Sequence, residues 1–591
     1  MTPAIEFLPP HDLKNKTVEE LNKIATELRD YLIHVILENG GHFAANLGVI
    51  ELTVSLLSVI DPNNSPIIWD VGHQSYPYKI LTGRHEELKT IRNQNGISGF
   101  PKRSESKFDW FGTGHSSTAL SAALGFAEAM KRDTTIYPVV AIIGDGALTG
   151  GMAYEAMNNM IDLNYPLLVV FNDNQMGIDP NTGALNKHLI DLHLNTEQSN
   201  KIQSFFEWFG FEYNGPIDGH NIQQLQSALN NAININKPQL IHIRTIKGKG
   251  YEAAEKEQTR WHSAAKFIKL NPSDLNPTTP SIRKIKWQEV FAKTLLKLAD
   301  TNPELRGITP AMPSSCGMLP AMEKYPDRFF DVGISEQHAV TFAAGIAAGG
   351  KKVIVNIYST FLQRAYDQII HDVILQNLPI LFCIDRAGLV GEDGPTHHGT
   401  YDMSFLLPLP NVSILAPYRA DELENMMHWA LLQDHPVFIR YPRGEINEQS
   451  ILTENYNPTV PVPIHSSEKA KLILCSTGIT TQLVLDALTE SPTLFQEVDV
   501  LHFPTVKTPN SSKFSPSRDY QFCLTIEDGS IIGGFGQYLK NIWENESTTK
   551  FHHLGIQNHF PSHGSINELQ KEEGFDVKSI LAKLSQLLSN S

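Results

Sequence analysis

Gly144-Asp145-Gly146-Ala147, with Asn174 following 29 positions after Asp145, is the stretch on which the fold turns. Each polar break comes directly after a short run that is apolar at every position. Pro138-Val-Val-Ala-Ile-Ile143 precedes the first and Leu167-Leu-Val-Val-Phe171 the second. A strand with one wet face alternates apolar and polar side chains, whereas an unbroken run fits a strand covered on both faces, as in parallel sheets. Ile67-Ile68-Trp69, Leu240-Ile-His-Ile-Arg244 and Ile380-Leu-Phe-Cys-Ile384 read the same way, with helical patterns between them. The class is α/β, with doubly wound domains built on mostly parallel central sheets.

Open α/β sheets bind ligands beyond the carboxyl ends of their strands, which is where Asp145 and Asn174 fall. Magnesium takes hard oxygen donors in octahedral geometry and shares phosphate oxygens of its ligand. The Asp145 carboxylate, the Asn174 amide oxygen and the Met176 backbone carbonyl would supply the protein's share of the Mg2+ ligands. Gly146 lets the backbone approach a phosphate closely. A helix expected to start near Ala147 offers its first amides to a diphosphate. A lone Gly-Asp-Gly is more often a plain turn; the strands on both sides and the Asn spacing favour a site.

Composition bounds the alternatives. The 591 residues are 41% hydrophobic and 19% charged, which suits several globular domains rather than a disordered or fibrous chain. A net charge of −16 works against a nucleic-acid or anionic-membrane partner, so an anionic substrate needs a local basic site. The four cysteines, Cys316, Cys383, Cys475 and Cys523, are scattered without a CxxC pair, against a disulfide scaffold or a zinc site and in keeping with a reducing cytoplasm. Cys383 and Cys475 lie in apolar runs and read as buried fillers. Met1–Asn15 lacks a secretory or transit pattern, no apolar run is long enough to cross a bilayer, and a cytoplasmic location is expected.

Thr17 with Glu20 forms a capping-box pattern for a first helix that runs to about Glu38, where Asn39-Gly40-Gly41 stops it. Two polar, Pro-rich stretches, Asn271–Lys284 and Asn455–Glu468, read as linkers. They divide the chain into units near 1–270, 285–450 and 465–591.

The Gly-Asp-Gly string with Asn174 resembles the thiamin-pyrophosphate-binding motif shared by transketolases, keto-acid decarboxylases and their relatives. Further strings narrow the likeness: Ile68-Trp-Asp-Val-Gly-His73-Gln-Ser-Tyr-Pro77, Lys79-Ile-Leu-Thr-Gly-Arg84, Gly114-His-Ser-Ser-Thr118, Ser335-Glu-Gln-His-Ala-Val340 and Tyr358-Ser-Thr-Phe-Leu-Gln-Arg-Ala-Tyr-Asp367. Over about Gly40 to Gly444 these resemble the 1-deoxy-D-xylulose-5-phosphate synthase family. That resemblance implies three transketolase-like domains, binding the diphosphate and Mg2+, binding the pyrimidine, and organising a homodimer, with the cofactor between the first two. It implies a transferase that condenses pyruvate, with loss of CO2, with D-glyceraldehyde 3-phosphate, using thiamin pyrophosphate and serving isoprenoid and thiamin biosynthesis. A transketolase-type ketol transferase with a sugar-phosphate donor, and a catalytically silent cofactor-binding relative, remain as alternatives.

By the same resemblance, Glu336 pairs with the cofactor's aminopyrimidine ring. His73, Gly114, His115, Ser116, Gly146, Ala147, Asn174, Tyr251 and Phe361 are cofactor contacts. Lys247 either meets the diphosphate as a point charge or is one of many solvated lysines. His42, His73 and His262 surround the reacting carbons, where a group titrating near neutrality can move protons, whereas His338 reads as structural. Tyr358, Arg364, Arg386, Asp393, His397 and Arg443 form the acceptor's site, with Asp393 and His397 also catalytic. The arginines suit bidentate phosphate binding, although Arg364 alternatively fixes the Asp367 helix. The segment after Asn186 is shorter than the family's, and the third unit matches only at Thr525-Ile-Glu-Asp-Gly529 and Gly533-Gly534.

Overall fold

The computed structural model describes residues 9–131, 135–160, 165–194, 199–233, 235–264, 284–447, 456–510, 513–544 and 549–589. The chain forms two compact units: Met1–Asn276 with Gly333–Ser335, and Pro277–Val332 with Glu336–Ser591.

The first unit is built on five parallel strands, β1 (Ile67–Trp69), β2 (Val139–Gly144), β3 (Leu167–Asp173), β4 (Glu212–Asp218) and β5 (Pro238–Arg244), in the order β1-β2-β3-β5-β4. Their unbroken apolar runs are explained by two cores. Trp69, Val140, Ile142, Leu168 and Val170 pack with the helices Val18–Asn39 and Ile50–Val59. The intervening residues Ile68, Ala141, Ile143, Val169 and Phe171 pack on the opposite face with Ala119–Met130 and Gly151–Asn158. The period-2 alternation of a strand thus divides its side chains between two buried faces. The first helix, Val18–Asn39, opens on a capping box between Thr17 and Glu20 and ends at Gly40, whose φ of 79° suits glycine.

The second unit carries two large sheets, besides an antiparallel pair of Lys284–Lys286 with Glu445–Asn447. One contains β6 (Leu305–Thr309), β7 (Phe329–Asp331), β8 (Lys352–Tyr358), β9 (Ile380–Ala387), β10 (Ser413–Leu415) and β11 (Val437–Pro442), all parallel, in the order β7-β6-β8-β9-β11-β10. The other contains β12 (Val462–His465), β13 (Leu472–Thr477), β14 (Val498–Phe503), β16 (Phe522–Ser530) and β17 (Lys550–Ile556), in the order β12-β14-β13-β16-β17; β15 (Thr505–Lys507) instead closes the first of these sheets, antiparallel to β10. All four cysteines are buried and free.

Two expectations need correction. The stretch Asn455–Glu468 is not all linker: β12 lies within it and pairs antiparallel with β14. The helix after Gly146 does not begin at Ala147; Ala147–Thr149 is a 3-10 turn and the α-helix starts at Gly151. The linker expected at Asn271–Lys284 lies, except for Lys284, outside the described residues. No described helix is long and apolar enough to cross a membrane.

Candidate active site

Parallel pairing of β2 with β3 sets Gly144 opposite Asn172, so both strands end at the same level. The Asp145 amide donates to the Asn172 carbonyl at 3.2 Å. The Asp145 carboxylate is 2% exposed and accepts from the amides of Gly146 at 2.8 Å, Asn174 at 3.1 Å and Gln175. Burial, and then the negative charge of Asp173, push its pKa up to about 7 against the pull of those amides. Asp173 is itself buried and paired with His242 at 3.1 Å. The Asn174 amide oxygen accepts from the Met176 amide at 3.0 Å, so the ligand candidates Asp145, Asn174 and Met176 share one hydrogen-bonded network across two strand ends. Lys247 is no solvated lysine: it is 2% exposed and its ammonium donates to the Gly177 carbonyl.

Gly114, Ser116 and Ala147 are buried, and His115 is half-buried. The turn that carries them is fixed by Asp70, a residue the sequence reading passed over inside a matched string. Its carboxylate, 1% exposed, accepts from the amides of Ser117 at 2.7 Å and Ala119 at 2.9 Å, while the Ser117 hydroxyl donates to the Ala147 carbonyl at 2.7 Å. An acidic residue immediately after a strand was the available signal.

A short antiparallel pair, Gly41–His42 with Ser263–Ala264, brings distant histidines together. The rings of His42, His73 and His262 lie 5.6, 5.8 and 5.2 Å apart pairwise. His42 Nδ1 meets the Tyr76 hydroxyl at 3.0 Å, and Phe100 packs edge-on against His42 at 5.3 Å. Burial, followed by the positive surroundings of Lys247, His73, His42 and Arg92, holds His262 well below the ordinary histidine range. Among the described residues its buried Nδ1 has no hydrogen-bond partner. Tyr251 packs edge-on against Phe43 at 5.1 Å and Trp261 at 5.2 Å. Phe100 and Arg92 carried no motif of their own and were missed, as was Tyr76 inside a matched string.

In the second unit, Glu336 begins the helix Glu336–Ala348 and is 4% exposed. Burial raises its pKa, partly offset by Arg364, whose Nη1 donates to its carboxylate at 3.4 Å. Arg364 therefore has a partner that neither sequence reading gave it. Phe361 stacks on Tyr358 at 5.6 Å and meets His397 edge-on at 5.6 Å. The Arg386 guanidinium lies 4.1 Å over the Tyr358 ring and pairs with the buried Asp385. Arg443 donates to the Val390 carbonyl at 3.0 Å and stands 3.8 Å from Asp393. Tyr358, Phe361, Arg386 and His397 thus form one chain of contacts, and Arg443, just past the end of β11, reaches Glu392 and Asp393 on the loop that bears His397. His338 is exposed and stacks on Phe342 at 5.5 Å.

A family profile described as 1-deoxy-D-xylulose-5-phosphate synthase matches residues 6–204 and 194–245; those of the transketolase pyrimidine-binding domain and transketolase C-terminal domain match 283–449 and 462–580. The 1-deoxy-D-xylulose-5-phosphate synthase of Cytophaga hutchinsonii is 42% identical, covering 98% of this chain and 97% of its own, and that of Chlorobaculum tepidum is 43% identical, covering 97% and 96%. Among solved structures, a transketolase from Campylobacter jejuni aligns over 97% of this chain and all (100%) of its own, at 19% identity and a TM-score of 0.45.

Proposed function

The chain belongs to the 1-deoxy-D-xylulose-5-phosphate synthase family, and on that premise we propose that its two clusters hold the cofactor and the phosphorylated acceptor of that reaction. The activity is the transferase reaction of pyruvate with D-glyceraldehyde 3-phosphate, dependent on thiamin pyrophosphate. The C1–C2 bond of pyruvate breaks and CO2 leaves. Pyruvate C2 then bonds to the aldehyde carbon, whose oxygen takes a proton, giving 1-deoxy-D-xylulose 5-phosphate.

The observation that carries the site assignment is the buried Asp145 carboxylate, raised by its neighbour Asp173 and ringed by amides at adjacent strand ends. A group this costly to ionise suits a divalent cation, which would supply the missing positive charge. Among the described residues no cluster of three or more His, Cys, Asp or Glu side chains could hold a metal. Mg2+ would take Asp145, the Asn174 amide oxygen and the Met176 carbonyl, with phosphate oxygens completing the set. The orphaned Nδ1 of His262 adds a second polar group in want of a ligand. The residues present fit the cofactor.

Thiamin pyrophosphate, when bound, supplies the electron sink that pyruvate's decarboxylation needs. Lys247 would neutralise diphosphate charge, and Gly114, His115, Ser116, Gly146 and Ala147 would line it. Glu336, raised by burial, would hold a proton at the pyrimidine ring nitrogen, with Phe361 as an apolar wall in the second unit and Tyr251 as one in the first. His262, kept neutral, would exchange a proton at the substrate oxygen together with His42 and His73. Arg386 and Arg443 would take the acceptor phosphate, beside Tyr358, Asp393 and His397. Arg364 would act through Glu336. We further propose functional domains near 1–270, 285–450 and 465–591, a homodimer, and a cytoplasmic location.

A donor panel with mass spectrometry of the products tests the reading. Pyruvate consumed with D-glyceraldehyde 3-phosphate, giving deoxyxylulose phosphate, supports it. Consumption of a ketose phosphate instead would favour transketolase-type transfer, and cofactor binding without turnover a silent relative.

A further inference from the structure

Lys247 sits in the turn Ile246-Lys-Gly-Lys-Gly250, and a turn alone does not fix a lysine within reach of a phosphate. Two side chains from elsewhere grip its flanks. Arg29, on the helix Val18–Asn39, donates from Nε to the Lys249 carbonyl at 3.0 Å. His220, after β4, accepts from the Ile246 amide at Nε2 at 2.9 Å. Both side chains converge on a single carboxylate. Arg29 Nη2 donates to Glu51 Oε1 at 2.6 Å, and His220 Nδ1 lies 2.9 Å from Glu51 Oε2. Arg29, Glu51 and His220 have side chains only 12% exposed, so water competes little for these bonds.

The protonation pattern follows from the donors. A backbone amide can only donate, so His220 Nε2 is bare and Nδ1 carries the hydrogen that Glu51 accepts. Glu51 thereby selects the tautomer that leaves Nε2 free for Ile246. Burial opposes its ionisation, yet the contacts with His220 and Arg29 hold its pKa below the ordinary range. Gly250 completes the arrangement: with φ at +84°, it leaves room for Arg29 Cδ where any Cβ would overlap it.

We propose that Glu51 is a positioning residue for the diphosphate subsite, setting through Arg29 and His220 both flanks of the turn that aims Lys247. The inference rests on the assignment of Lys247 to the cofactor's diphosphate. Glu51 touches no ligand itself; its role is to orient two anchors, as outer partners of a ligand orient the ligand.

The test uses Glu51→Gln, whose amide cannot accept from Arg29 and His220 together. In the full-length apoprotein, hydrogen exchange of peptides covering 245–251 rises, while that of β2 stays at the wild-type rate. Thiamin pyrophosphate titrated with Mg2+, followed by tryptophan fluorescence, binds roughly 10- to 100-fold more weakly, the usual range for loss of an orienting partner. Arg29→Lys keeps the charge on Glu51 but gives up the Lys249 carbonyl, and loses affinity by a smaller factor. It decides the matter should Glu51→Gln fail to fold. Equal affinity in the variant and wild type overturns the proposal, as does exchange that rises equally in β2, which would mark general loosening. Wild type that binds no thiamin pyrophosphate, while exchange at 245–251 still depends on Glu51, overturns the diphosphate assignment and this role with it.

Discussion

Lys247 ties the structure to a measurable pH dependence. Burial draws its pKa from 10.5 down to about 8, with Asp145 and Asp179 restoring only part of the loss. That drop is about 3 kcal/mol of lost preference for the charged form. In the apoprotein the ammonium is charged below about pH 8 and neutral above it. A diphosphate held by Lys247 needs the charged form, so above that pH the cofactor must bring a proton with it. The dissociation constant for thiamin pyrophosphate at saturating Mg2+ should therefore rise by roughly tenfold between pH 7 and pH 9. The stability linkage has the opposite sign. The unfolded chain holds the proton up to about 10.5, so this group's contribution to apoprotein stability grows as pH rises from about 8 toward 10.5. Lys247→Met removes the titration. At pH 7 it should weaken binding by roughly 2–4 kcal/mol, from a contact charge pair at an effective dielectric near 20. Calorimetric titrations in buffers of different ionisation enthalpy read affinity and proton uptake together. A wild-type affinity flat from pH 7 to 9.5, or an unchanged slope in Lys247→Met, would rule out a titrating Lys247 at the diphosphate.

Other consequences are equally direct. Arg84 grips Asp109, a carboxylate with no exposed surface, through two bonds at 2.8 and 2.9 Å, and also reaches Glu105 at 3.0 Å. Arg84→Met leaves that carboxylate buried without its cation, at a cost of about 3–5 kcal/mol. Hydrogen exchange across 97–112, the loop that bears Phe100 against His42, should accelerate by roughly two to three and a half orders of magnitude. Glu336→Gln should lower kcat by roughly 10^2- to 10^4-fold, the range for a lost proton-transfer group, with cofactor affinity largely kept in fluorescence titrations. Arg386→Lys gives up a planar fork for a point charge, and steady-state kinetics should show KM for D-glyceraldehyde 3-phosphate raised by roughly tenfold with KM for pyruvate little changed.

The parallel sheets were legible because β2 and β3 are apolar on successive positions, which only a strand buried on both faces requires. Asp145 and Asn174 were legible for the same reason, as polar breaks at two strand ends. β12 was not: Pro461 and Pro463 read as linker residues, yet an edge strand tolerates proline because one row of its amides needs no partner. The 3-10 turn at Ala147 was hidden because Gly150 delays the α-helix without breaking the pattern around it. Lys247 stayed undecided in the sequence, since its burial depends on segments far away in the chain. Asp70 had a local signal, its place directly after a strand, but Tyr76, Phe100 and the Arg29–Glu51–His220 chain escaped for that reason too. Their work is long-range pairing, which leaves no local spacing to read.

This chain is expected to join pyruvate, minus its carboxylate, to a phosphorylated aldehyde, with Asp145 in the first unit and Glu336 in the second each required. The most direct measurement supplies [2-13C]pyruvate and D-glyceraldehyde 3-phosphate with thiamin pyrophosphate and Mg2+, and follows the label by 13C NMR. The label should move to the ketone carbon of 1-deoxy-D-xylulose 5-phosphate, and Asp145→Asn and Glu336→Ala should each abolish the transfer. Label remaining in pyruvate with wild-type enzyme, or transfer surviving both substitutions, would contradict that expectation.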